Sequence, residues 1–285
     1  MKKIFIITND TRDVDFSITR RVAERLRELG SSVALLPRAR AALSDVDAGV
    51  IGECFDAAES DLMIVIGGDG SILDASYNAI SNGIAVLGIN AGRLGYLSGM
   101  DPSDLALLED VVSDRCGKRE LMTLSVSIKR GEEELPVARR AVNEAVISHG
   151  SLSRLSDIEV DCGGETGINY LADGVIISTP AGSTAYSLSA GGPIVESTLD
   201  SICITPICPH SFFARSIIIS PDTVIRIKCN NDERTSLYLT VDGRENVELV
   251  KGDVVEISRS GDKFTLISPK AHDLLGVLKS KMKMN

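Results

Sequence analysis

Leu62-Met63-Ile64-Val65-Ile66-Gly67-Gly68-Asp69-Gly70-Ser71 is the stretch on which the reading of this chain turns. Five apolar residues running abruptly into glycine fit a strand buried on both faces, as in parallel sheets. In open α/β sheets ligands bind just beyond the carboxyl ends of strands. Glycines at that edge let backbone approach a phosphate or ribose and supply N–H donors to anions. A carboxylate among them repels phosphate. It makes sense if Asp69 accepts a proton from a hydroxyl, or holds Mg²⁺ against phosphate. The loop therefore points to phosphoryl transfer to an alcohol; the plainer alternative is a tight strand-to-helix turn with Asp69 as the helix N-cap.

Outward from this stretch, the first hundred residues alternate strand and helix. Ile4-Phe5-Ile6-Ile7 and Val33-Ala34-Leu35-Leu36 read as strands. Between them Ile18, Val22, Leu26 and Leu29 share one helical face, and Gly30 suits the C′ position. A helix from about Ser71 to Ser81 leads to a strand at 84–89, and Asp101-Pro102 reads as the N-cap and first position of a helix through about Val112. Such alternation predicts a doubly wound, parallel α/β domain over residues 1–118. Near Leu121 the character changes to strand-like runs at 121–129, 136–148, 157–162, 169–178, 216–219, 224–229, 237–241, 253–257 and 264–268. Asn230-Asn231-Asp232, Asp242-Gly243 and Ser260-Gly261-Asp262 read as turns between them. Residues 119–269 are thus expected to form an all-β sandwich, with a tail from about 270 to 285 returning to the first domain. With no long linker between the halves, the cleft between them is the natural place for a site.

The chain has 285 residues, 44% hydrophobic and 25% charged, which is ordinary for a globular protein of two domains. Its net charge of −10 argues against a nucleic-acid or membrane-surface binder, whose affinity rests on basic patches. The six cysteines form no C-x-x-C pair and only three histidines are present, so a structural zinc site is not expected. No leader or membrane-length apolar stretch is visible, and a cytoplasmic protein with reduced thiols is expected.

Four further segments carry candidate chemistry. Gly88-Ile89-Asn90-Ala91-Gly92-Arg93-Leu94-Gly95-Tyr96-Leu97 leaves the end of a buried strand, its glycines giving room and Tyr96 a ring for a base to stack on. Asn143-Glu144 is a polar pair in a strand-like run; these side chains can bond an adenine edge or sugar hydroxyls, and spacing alone favours an exposed strand face. In the run from Asn169 to Pro193, Val175-Ile176-Ile177 is a strand, and Gly182-Ser183-Thr184 can open a turn or helix whose N–H groups bind phosphate. A serine nucleophile is the rival, but Gly-x-Ser-x-Gly is absent. Pro206-Ile207-Cys208-Pro209-His210-Ser211, followed by Arg215, is a stiff loop that could meet an anion or a neighbouring subunit, with a structural His210 as the default.

Taken in order and spacing, the glycine loop, Asn143-Glu144, the run from Asp173-Gly174 to Pro193, Pro206 to Ser211 and Val241-Asp242-Gly243 closely resemble the NAD kinase family. The resemblance covers nearly the whole chain. It implies that the α/β domain is nucleotide-binding, and it implies dimers or tetramers that transfer the γ-phosphoryl of ATP, with Mg²⁺ or another divalent metal, to the 2′-hydroxyl of the adenosine ribose of NAD⁺. It further implies Asp69 as the proton acceptor, with Gly67, Gly68 and Gly70 against the dinucleotide or its phosphates. Tyr96 falls beside the base, and Asn143, Glu144 and Asp173 contact the dinucleotide. Ala181, Thr184, Ala185, Tyr186, Ser187, Leu188 and Ser189 line the adenosine pocket, and Arg154 stands where many members carry a basic residue. Two departures stand out. Ser71 replaces the usual Thr and keeps the hydroxyl. Arg244 replaces a common Gln, which leaves open an added anion contact or a role in donor selectivity, polyphosphate against ATP included. Other kinases with this loop, acting on sugars or lipids, leave the 170–193 run unexplained. A non-catalytic dinucleotide sensor is separable only by turnover.

Overall fold

The computed structural model describes residues 1–44, 55–92, 95–135, 140–150, 155–164, 166–211, 214–230, 236–244, 246–271 and 273–282. Arg154, Arg93, Leu94, Cys54, Asn231 and Asp232 lie outside the described residues. The chain forms two compact units: Met1–Glu120 with Phe264–Asn285, and Leu121–Lys263. Both passages between them fall inside strands, β5 (Gly117–Arg130) and β17 (Val254–Ser268).

In the first unit, β1 (Lys3–Thr8), β2 (Ser32–Leu35), β3 (Leu62–Gly67) and β4 (Ala85–Asn90) make a parallel sheet in the order β2-β1-β3-β4. The far end of β17 joins β4 in parallel through Leu266 and Val86. From β1 the chain steps to β2 on one side, then to β3 and β4 on the other. The switch point therefore lies between the ends of β1 and β3, where this class of sheet binds ligands. Helix α1 (Ser17–Glu28) buries Val22, Ala23 and Leu26 against Ile4, Ile6, Leu62, Ile64 and Leu87. It ends in a Schellman turn, with Gly30 at φ 79° and N–H bonds from Gly30 to Arg27 O and from Ser31 to Leu26 O. At its start no side chain of the flanking residue caps it. Buried Asp13 does so instead, accepting N–H bonds from Ile18 (3.0 Å) and Thr19 (2.8 Å) and the Thr19 hydroxyl (2.6 Å). Helix α2 (Pro37–Ala42) opens on proline, and α3 (Asp69–Ser81) links β3 to β4.

The helix expected from Asp101-Pro102 begins later: a 3₁₀ turn at Leu105–Leu107 precedes α4 (Leu108–Val112). Asp101 instead makes a turn with Asp104, exchanging bonds of 3.0 Å in both directions. No helix among the described residues is long and apolar enough to cross a membrane.

The second unit is a sandwich. One layer runs β13-β12-β11-β8-β15-β16, with β8 (Glu144–His149), β11 (Gly174–Ser178), β12 (Ile202–Ile207), β13 (Ile217–Ile219), β15 (Leu237–Val241) and β16 (Val247–Leu249). The other runs β10 (Ile168–Ala172), β9 (Ser156–Asp161), β14 (Ile225–Cys229) and β17, with β5 pairing β17, β6 (Glu133–Leu135) and β7 (Arg140–Ala141). Alternate residues of both layers fill the core: Ala145 and Ile147, Val175 and Ile177, Leu237, Leu239 and Val241 from one, and Leu124, Val126 and Ile128, Ile158 and Val160, Ile225 and Ile227, Val255 and Ile257 from the other. The expected turn at Ser260-Gly261-Asp262 is absent, and β17 runs straight through it. Tertiary bonds override the local signal: Thr123 donates to the Asp262 carbonyl (2.6 Å) and Arg140 pairs with its carboxylate (2.7 Å).

Candidate active site

Asp69 is the first residue of α3, and Gly68 is its N-cap. No side-chain cap bond forms there, so the N-cap alternative fails. The carboxylate instead crosses to the 88–97 segment, where Oδ2 accepts the Tyr96 N–H (2.9 Å) and Oδ1 the Leu97 N–H (3.0 Å). Two donors, one per oxygen, fix the plane of the group and leave each oxygen a free lone pair for a substrate. A Cβ on Gly95 would collide with this carboxylate, so Gly95 makes room for Asp69 and not, as the sequence suggested, for a ligand. Gly88 likewise is filled from behind by Ile72. Gly68 and Gly70 do face open space, while a Cβ on Gly67 would lie 2.6 Å from the Ser71 hydroxyl. That hydroxyl accepts from Asn9 Nδ2 (2.8 Å), and the Asn9 N–H bonds Ile66 O (2.9 Å), which ties the ends of β1 and β3 together across the switch point.

The Tyr96 ring carries Lys281 of the C-terminal helix α6 (Leu274–Met282), its Nζ 4.0 Å from the ring centroid. Burial and the Asp69 charge push the Tyr96 phenol above its ordinary value. Beside it opens a pocket of 230 Å³ lined by Tyr96, Asp101, Arg119, Lys270 and Asp273 among others. Arg119 is buried, its Nε on Ser268 Oγ at 3.1 Å.

In the second unit, Asn143-Glu144 form a tightly held corner at the start of β8. Glu144 is 7% exposed, contrary to the open strand face that spacing favoured. Strand alternation puts it on the outer face of its layer, opposite Ser178 of β11. Among the described residues its buried Oε2 meets no hydrogen-bond partner. Burial first, then the charge of Asp242, push its carboxyl up to about 7, opposed by a bond from the Tyr186 backbone. Asp242 stands at φ 49° in the turn after β15 and gathers the N–H groups of Val142 (2.7 Å), Asn143 (2.8 Å) and Glu144 (3.0 Å). Its own carboxyl is raised by burial, against those bonds and the charge of the exposed Arg244. From the other side the Thr179 hydroxyl donates to Val142 O (2.6 Å) and the Thr179 N–H to Asn143 O (2.9 Å). Gly182 packs so closely on the Asn143 backbone that a Cβ would overlap it.

The 181–189 segment is a 3₁₀ turn (Ala181–Thr184) followed by a four-residue helix, α5 (Tyr186–Ser189). Three of its N–H groups are used within the fold: Gly182 donates to Thr179 Oγ1, Ser183 to Thr179 O and Ala185 to Gly182 O. Ala181 is buried, Thr184 and Ala185 are half-buried, and Tyr186, Leu188 and Ser189 are exposed. Ser187 belongs to the interior, with its hydroxyl 2.9 Å from Thr205 Oγ1. Asp173 is not gathered here. The register pairs Gly174 with Ser148 and Ser178 with Glu144, so Asp173 lies at the far end of β8, about 16 Å along the strand from Glu144. There it meets His149, Nε2 to Oδ1 3.4 Å. Sequence reasoning missed this pair, the clamp by Asp242 and the place of Gly95. Of the three, only Asp242 left a signal, an Asp-Gly hairpin turn. Among the described residues no group of three or more His, Cys, Asp or Glu side chains is assembled to hold a metal.

A glycine-flanked carboxylate at the switch point of a parallel sheet, in a chain that continues as a β-sandwich with its own buried acidic corner, defines a kinase that phosphorylates an alcohol. Residues 4–116 match the ATP-NAD kinase N-terminal domain and 142–268 the ATP-NAD kinase C-terminal domain. NAD kinases of Caldanaerobacter subterraneus subsp. tengcongensis and Symbiobacterium thermophilum are each 37% identical, with 99% of both chains covered. The structure is similar to yeast NADH kinase complexed with NADH (TM-score 0.85, 25% identity, 100% of this chain and 88% of that one). The fold also matches an Archaeoglobus fulgidus NAD kinase in complex with ATP (TM-score 0.76, 22% identity, 98% and 99%). The chain belongs to the NAD kinase family and is an ATP-dependent kinase that phosphorylates NAD.

Proposed function

We propose that this chain transfers the γ-phosphoryl of ATP to the 2′-hydroxyl of the adenosine ribose of NAD⁺, with Asp69 as the proton acceptor. The observation that carries the proposal is the posture of Asp69: both oxygens oriented by backbone N–H groups at the switch point, flanked by Gly68 and Gly70 facing open space. As the oxygen–phosphorus bond forms in line with cleavage of the β,γ bridge, the hydroxyl proton passes to Asp69. Phosphoryl transfer asks mainly for positioning and charge stabilisation. Asn143, Glu144 and the 181–189 segment hold the dinucleotide, and the orphaned Glu144 oxygen is matched by a ribose hydroxyl as donor. Mg²⁺ suits a donor set of this kind as a companion of the ATP phosphates, since it is commonly bound by one or two carboxylates plus phosphate oxygens. With Asp69 committed to the hydroxyl proton, the ion would travel with the ATP phosphates and, with the glycine-loop N–H groups, would neutralise charge on the phosphoryl oxygens.

The test is NADP⁺ formation from NAD⁺, ATP and Mg²⁺ by the purified protein. Asp69→Asn is expected to lose roughly 10²–10⁴-fold in kcat with an unchanged circular dichroism spectrum. Near-normal turnover by that variant refutes the role of Asp69, and NAD⁺ binding without turnover by the native chain points to polyphosphate as donor or to a sensor. We infer a cytoplasmic homodimer or homotetramer as the working form. Exposed Leu171 lies two residues before Asp173 and exposed Ile218 on the edge strand β13, and light scattering decides the assembly.

A further inference from the structure

We propose that Asp242 is a positioning residue for the dinucleotide, setting the 142–144 backbone so that the Asn143 and Glu144 side chains meet NAD⁺ in the right place. The inference rests on the reading that Asn143 and Glu144 touch the dinucleotide. Its ground is where the carboxylate spends its bonds. The hairpin turn at Asp242-Gly243 is already closed by the Arg244 N–H on Val241 O (3.0 Å). The Asp242 side chain adds nothing to that turn; it reaches about a hundred residues back along the chain and takes three consecutive N–H groups, at 2.7, 2.8 and 3.0 Å. The Asp242 N–H also bonds Glu144 O (3.0 Å). With Thr179 holding the carbonyls of Val142 and Asn143, nearly every polar backbone group of the corner is fixed from outside its own strand.

A carboxylate is a costly choice for this clamp, because it stands beside buried Glu144 and each charge opposes the other. A neutral amide would spare that repulsion. It would also offer one acceptor oxygen in place of two, and turn its NH₂ toward the Val142 N–H, donor against donor. Only the carboxylate satisfies all three backbone donors together. What it stabilises is a corner whose outcome is the placing of two side chains, half-buried Asn143 and buried Glu144.

The experiment is steady-state kinetics of Asp242→Asn, with Asn143→Ala alongside and folding checked by circular dichroism. The expected result is a rise of about tenfold in KM for NAD⁺, with KM for ATP and kcat within about threefold of the native enzyme. A folded Asp242→Asn whose KM for NAD⁺ stays native, while Asn143→Ala raises it, overturns the inference and leaves the site reading intact. A native KM for NAD⁺ in Asn143→Ala refutes the site reading, and the inference with it. Equal deterioration of both KM values and kcat in folded Asp242→Asn shows a merely structural role and also overturns it. Should Asp242→Asn not fold, Asp242→Ser, which keeps a single acceptor oxygen in the same turn, decides by the same criteria.

Discussion

Replacing Glu144 by Gln tests the buried carboxylate pair through its pH dependence. The folded carboxyl titrates at about 7 against an ordinary 4.5, raised by burial and then by Asp242. Between those values the folded chain keeps a proton that the unfolded chain has released. Stability from this group is therefore fully present below about 4.5 and is lost as pH rises through about 7. The shift of about 2.5 units corresponds to about 3 kcal/mol in full, and about 2.5 kcal/mol between roughly pH 5 and roughly pH 8.5. Gln cannot ionise and escapes this dependence. Urea unfolding of both proteins at the two pH values, followed by circular dichroism, is expected to show Glu144→Gln gaining about 2.5 kcal/mol on the native chain as pH rises. A difference that stays constant with pH refutes the argument that burial, aided by Asp242, raises the Glu144 carboxyl.

Two further outcomes follow from close contacts in the first unit. Gly95→Ala drives a methyl into the Asp69 carboxylate and should lower kcat by about 10²-fold while KM for NAD⁺ stays within about twofold, read from the same NADP⁺ assay. Asp13→Ala strands the buried N–H and hydroxyl of Thr19 and the half-buried N–H of Ile18 at the start of α1 and should cost about 2 kcal/mol in urea unfolding.

Much of the first unit was legible because its signals are local. An apolar run ended by glycine at residue 67, a helical stripe closed by Gly30, and alternation of the two are each written within a dozen residues. The sandwich was legible as a class from its alternating runs. What escaped reading depends on partners distant in sequence. Ser260-Gly261-Asp262 has turn composition, yet Thr123 and Arg140 hold Asp262 in a strand. Asn143-Glu144 looks like a surface pair until Thr179 and Asp242 enclose it. Gly95 reads as space for a ligand until the Asp69 carboxylate arrives to fill it. Side chains of chemical interest could be named from the motif; which of them face one another, and that Asp173 stands apart, required the register of β8 on β11.

The interleaving of the two units in sequence has a consequence for synthesis. The first unit owns both ends of the chain, and Ile267, near the end of β17, is part of its apolar interior. While the nascent chain grows, Met100 pairs with the Ile89 end of the outer edge of β4 at once, but Val86 waits for Leu266 through the whole production of the sandwich, and the Tyr96 ring waits for Lys281. The glycine-loop carboxylate thus belongs to a layer that is finished last, after residue 264 has left the ribosome. A chain cut short before Phe264 would hold a finished second unit and a β4 lacking its β17 partner, a species prone to stick to its own kind.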